Sequence, residues 1–173
     1  MEIQGAAYFY ALAAAAMAFS AFSAIVIIIR QTMGAGLTPF QLALTRVFIE
    51  RGFYVALLSF LPMLLAIFEL PHILIWQICS AAAALILAAW HLDDALRRYP
   101  AVRTKRQPKF ACVNWAITSC AVLMLVCNAA SVPYSTQAGP YALAIAWILI
   151  QGGEVFILSL GSFLHKATSA SKV

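Results

Sequence analysis

Glu154 is the most chemically loaded position in this sequence. It lies within Gln151-Gly152-Gly153-Glu154, in the middle of an apolar run from 140 to 164 that holds no other acid or base. A carboxylate at mid-bilayer depth costs at least a few kcal/mol, so it must face protein or water, or carry a proton. At about 100° per residue, Trp147, Gln151, Glu154, Leu158, Gly161 and His165 share one helix face, the most polar stripe of any apolar run. Two chemistries fit. Glu154 could relay a proton or cation, or it could be a packing carboxyl whose neighbouring glycines admit a close helix contact. Arg51, at the start of an earlier run, is the nearest plausible counter-ion, because a long side chain can reach inward.

Arg46, Glu50 and Arg51 form a second cluster. It reads either as an inner-face contact for an anionic substrate or lipid headgroup, or as an interfacial helix whose charges snorkel to the surface. The segment Arg103-Thr104-Lys105-Arg106-Gln107-Pro108-Lys109 would attract anionic lipid, or simply anchor topology. Cys112, Cys120 and Cys127 fall on one stripe of a helix but about two turns apart, so they read as soft packing residues and not metal ligands. Asn114, Thr118 and Asn128 lie on the other side of that helix, suited to interhelical hydrogen bonds. His72, His91 and His165 have no metal-ligand spacing, and no nucleophile, phosphate-loop, dinucleotide or paired-cysteine motif occurs. We expect no metal, no cofactor and no enzymatic activity.

These residues are positioned by an unusually apolar chain. It is 64% hydrophobic and 10% charged, with a mean hydropathy of +0.92, outside the range of water-soluble domains. The net charge of +5 does not suggest nucleic-acid binding, because the basic residues flank apolar runs and form no continuous solvated face. The pattern predicts an all-α, polytopic transmembrane helix bundle forming a single integral membrane domain. The predicted spans are about 6–29, 49–68 with an amphipathic lead-in over 39–48, 71–92, 110–130 and 140–164. Ala18-Phe19-Ser20 has the look of a signal-peptide cleavage site. However, Met1 to Gly5 carry no positive charge and the apolar stretch is too long, so the first run reads as a retained helix. Pro62 should kink the second span. The third should extend as far as Arg98, supported by Asp93 with Arg97 and Asp94 with Arg98, before the basic linker 97–109.

Threading five spans puts every lysine and arginine on one side, while the outer segments contain Glu2, Glu69 and His72 but no lysine or arginine. By the positive-inside rule the N-terminus is then outside and the C-terminus inside. Trp76, Trp90, Trp115, Trp147, Tyr99, Tyr134 and Tyr141 fall near span ends, as interfacial aromatics do. Small residues at four-residue spacing (Ala11/Ala15, Ala14/Ala18, Ala84/Ala88) predict close helix contacts. The expected function is that of a small non-catalytic accessory, assembly or scaffold protein acting through helix packing. The alternative is a small oligomeric proton-coupled transporter or channel centred on Glu154. Expected partners are the bilayer, anionic lipid, and a second copy or another membrane protein. The economy of loops suits a bacterial plasma (inner) membrane.

Overall fold

A computed structural model describes residues 5–32, 39–93, 96, 108–132 and 138–170. Among these the chain has five helices and no strand: α1 Ala6–Thr32, α2 Pro39–Ala66, α3 His72–Asp93, α4 Pro108–Ala129 and α5 Ala138–Ala170. Four stretches, Ala6–Ile29, Thr45–Ala66, His72–Asp93 and Cys112–Ala129, are long and apolar enough to cross a membrane. Large side chains such as Phe22, Phe53, Leu57, Leu85 and Leu123 stand exposed on them. In water such a surface would drive aggregation, whereas lipid solvates it. These features mark the chain as a helical membrane protein. The basic residues Arg97 to Arg106 lie outside the described residues, as does the predicted extension of α3 apart from Leu96.

Helix ends follow local chemistry. Proline opens α2 and α4, where a missing N–H costs no helical bond. Before α3, the Pro71 carbonyl accepts the Ile75 N–H at 3.1 Å. The lead-in and the span of α2 form one helix that continues past Pro62 to Ala66. That helix ends with Glu69 at φ 54°, and α4 with Ser131 at φ 55°. At the latter end the Val132 N–H bonds the Cys127 carbonyl (3.1 Å) and the Ser131 N–H bonds that of Asn128 (3.3 Å). This is a Schellman cap built without glycine, so Ser131 bears the left-handed strain that glycine would avoid.

The chain divides into two compact units, Met1–Ala6 with Leu61–Trp147, and Ala7–Phe60 with Ile148–Val173. In the first unit, α3 buries Ile75, Trp76, Cys79, Ser80, Ala83, Ala84 and Leu87. Leu125 and Asn128 of α4, with Tyr141, Ala144 and Ile145 of α5, are fully buried in the same unit. Trp76 and Tyr141 do lie near helix starts, but they are not lipid-facing. Both are wholly buried, with ring centroids 5.9 Å apart. Each polar tip can thereby be satisfied inside the protein, and Trp76 Nε1 donates to His72 Nδ1 at 3.2 Å.

In the second unit the core stripe of α1 is Phe9, Ala13, Ala16, Ser20 and Ser23, alternating four and three residues apart. Of the four-residue small pairs, Ala84 is buried, while Ala11, Ala14, Ala18 and Ala88 are exposed, and α1 packs within its own unit on a different face. The reason is Gly52. A Cβ there would fall on Ser20 Oγ and lie 3.2 Å from the Ala16 carbonyl, so α2 meets α1 with no room for a methyl group. Ser20 and Ser23 fold their hydroxyls back onto the Ala16 and Phe19 carbonyls, at 2.9 and 3.1 Å, which keeps this face narrow.

Gly52→Ala should therefore lower stability by about 1–3 kcal/mol through overpacking. Adding Ser20→Ala should recover part of the loss, since the Ala16 carbonyl remains. Thermal unfolding of both variants in mild detergent checks this expectation.

Candidate functional site

Polar side chains within α3 and α4 are the first place to look, because an unpaired polar group in apolar surroundings is costly. Three rungs join the two helices. Gln77 Nε2 donates to Ser131 Oγ, Asn128 Nδ2 donates to Ser80 Oγ at 2.6 Å, and His91 Nε2 lies 3.0 Å from Ser119 Oγ. As the α3 positions rise from 77 through 80 to 91, the α4 positions fall from 131 through 128 to 119. The helices are thus antiparallel and held in one register. From α5, Trp147 Nε1 donates to Thr118 Oγ1 at 3.1 Å, while that hydroxyl donates to the Asn114 carbonyl at 2.8 Å.

The rungs differ in surroundings. Ser80 and Asn128 are wholly buried, so that pair is structural. His91 and Ser119 lie at an open groove of about 530 Å³ between α3 and α4. The His91 imidazole also meets the Trp115 ring, centroids 4.1 Å apart. No sequence motif announces this trio, because its members come from two helices and their spacing along the chain carries no signal.

The residues singled out in the sequence are distributed as follows. Glu154 is half-buried on α5, and no described residue forms a hydrogen bond or ion pair with it. Gln151 is buried. Between them, Gly152 packs against α2. A Cβ there would lie 3.8 Å from the Phe48 ring and 4.0 Å from Arg51 Cβ, which is ordinary contact. Arg51, half-buried, is thus brought beside Gly152, whereas Glu154, two residues on, projects about 200° further round the helix. Trp147 and Gln151 share a helix face but fall in different units.

Arg46 Nε donates to Glu50 Oε1 at 2.7 Å, with Arg46 81% exposed. Its guanidinium already has an anionic partner on its own helix. Arg103, Lys105 and Arg106 lie outside the described residues. None of the four cysteines forms a disulfide, and Cys112 and Cys120 point outward. Among the described residues no group of three or more His, Cys, Asp or Glu side chains could hold a metal ion. The Ser59 hydroxyl of α2 is buried with no hydrogen-bond partner among them.

A Ser80/Asn128 double-mutant cycle, both to Ala, should give a coupling of about 1 kcal/mol in detergent unfolding, within the range of interhelical bonds in membranes. Coupling near zero would mean that the rung orients the helices without stabilising them. No protein-family model, curated protein or solved structure matches this chain, so the geometry of its own helices is the ground on which its function is read.

Proposed function

We propose that this protein is a non-catalytic accessory, assembly or scaffold component that works by presenting a helix face to a second membrane helix. The reading includes five spans with the N-terminus outside and the C-terminus inside, as the one-sided lysines and arginines favour. A bacterial plasma membrane suits its short connections.

One observation carries the reading. Helix α1 has two small-residue stripes on opposite sides. The inner stripe is filled by α2 at Gly52. The outer one, Ala7, Ala11, Ala14, Ala18 and Ala21, repeats every three or four residues and is exposed along its length. Exposed Tyr8, Phe19 and Phe22 flank it on one side and Tyr10 and Met17 on the other. Without a hydrophobic drive between helices in lipid, close approach of small residues is the main source of helix association. A shallow alanine channel with bulky walls suits a second helix, from another copy of this chain or from a different membrane protein.

Purified in mild detergent, the protein should run as a homo-oligomer or with a partner bound. Ala14→Phe with Ala18→Phe, on the exposed stripe, should release a monomer whose thermal midpoint is unchanged. A stable wild-type monomer with no partner would overturn the proposal.

Glu154 supports a second reading, a small oligomeric proton-coupled transporter or channel. What supports it is the half-buried acid itself, on α5 next to the buried Gln151 amide in sequence, in an apolar run with no other acid or base. In reconstituted vesicles this reading expects pH-driven flux that Glu154→Gln abolishes while helicity is retained. Flux unchanged in that variant would remove Glu154 from the mechanism.

A further inference from the structure

The groove between α3 and α4 has no part in the proposed function. Its α3 wall is opened by Ala88, a methyl group set between the exposed bulk of Leu85 and Leu92. Its α4 wall is the stripe Ser119, Val122 and Val126, which spans about 10 Å of helix at 1.5 Å per residue. The volume of about 530 Å³ lies in the usual range for pockets that bury a small ligand. Apart from His91 and Ser119, the residues lining it are apolar.

Two features say what fills it. Both walls are helices apolar enough to cross a membrane, so the medium that reaches an open groove there is hydrocarbon chain. The polar end is built in advance, since Ser119 Oγ holds His91 Nε2 at 3.0 Å and Trp115 meets the ring. It also lies towards the α3–α4 connection, whose sequence gives the sign of the charge. Between His91 and Trp115 the chain carries Arg97, Arg98, Arg103, Lys105, Arg106 and Lys109 against only Asp93 and Asp94. An excess of this kind near a membrane surface draws anionic headgroups.

We propose that this groove seats one acyl chain of an anionic phospholipid, with His91 and Ser119 at the headgroup end and Val122 and Val126 along the chain. Ala88 is the specificity-determining position, because its small side chain leaves the space. The charge between the two helices selects the headgroup class but forms no part of the groove.

Native mass spectrometry of the full chain in detergent, titrated with phosphatidylglycerol or with phosphatidylcholine of the same chains, tests this directly. One tight phosphatidylglycerol site is expected, with phosphatidylcholine about fivefold weaker or more. Ala88→Phe should remove the tight site while leaving the thermal midpoint unchanged. If that variant fails to fold, Val126→Trp, which fills the groove from an exposed position on α4, should have the same effect. Replacing Arg103, Lys105 and Arg106 by Gln should bring phosphatidylglycerol down towards phosphatidylcholine, with phosphatidylcholine unchanged. Glycerol phosphate, which has no chain, should not compete. The proposal is overturned if the filled groove binds phosphatidylglycerol as wild type does, if glycerol phosphate displaces the lipid, or if the two lipids bind equally.

Discussion

A polar side chain surrounded by hydrocarbon has no water to fall back on, and the pairing of α3 with α4 is built around that constraint. Asn128 has amide hydrogens that must be donated somewhere, and Ser80 stands at the matching height on the antiparallel helix. Once that rung is made, helix geometry brings Gln77 to Ser131 and His91 to Ser119. A slip of one residue would rotate these groups out of reach and leave buried donors unpaired. Individual interhelical bonds in membranes are weak, roughly 0.6 kcal/mol on average, so their main effect is on register. The apolar contacts between them supply the bulk of the adhesion.

Helices α1 and α2 solve the packing problem by a different route. There the decisive groups are absences: no side chain at Gly52, and serines on α1 whose hydroxyls fold back onto their own helix. Two backbones come close enough for dispersion contacts to accumulate, and no polar bond between them is needed at that point. The same device appears more loosely where Gly152 meets Phe48 and Arg51. Close approach of this kind is sensitive to a single added methyl group, whereas a polar rung is sensitive to loss of either partner.

Much of the helical framework was legible from composition and punctuation. The apolar runs and the polar breaks near 69 and 131 locate most helix ends to within a few residues, although α4 already starts at Pro108 and α5 runs on past 164 to Ala170. The suitability of Asn128 for an interhelical bond could be read from its side of α4, but not the identity of Ser80 as its partner. The alanine pairs pointed to close packing without saying which face meets which neighbour, and within its unit α1 packs on Ala13, Ala16, Ser20 and Ser23. That helix is apolar on every side, so periodicity offers no contrast between an inner and an outer face. Among the candidate site residues, Arg51 approaches Gly152 of α5, while Arg46 is engaged by Glu50.

The sequence by itself determined that this chain is helical, too apolar for water, and marked by an acid at position 154 within an apolar run, because these depend on residue type and order along one dimension. Tertiary structure alone decided which small residues face inward, which polar groups become partners, and that His91, Trp115 and Ser119 meet at the end of an open groove. Each of those outcomes requires two helices to be placed side by side. The energy that places them, a close fit at Gly52 or a satisfied amide at Asn128, belongs to a pair of surfaces and to neither sequence segment alone.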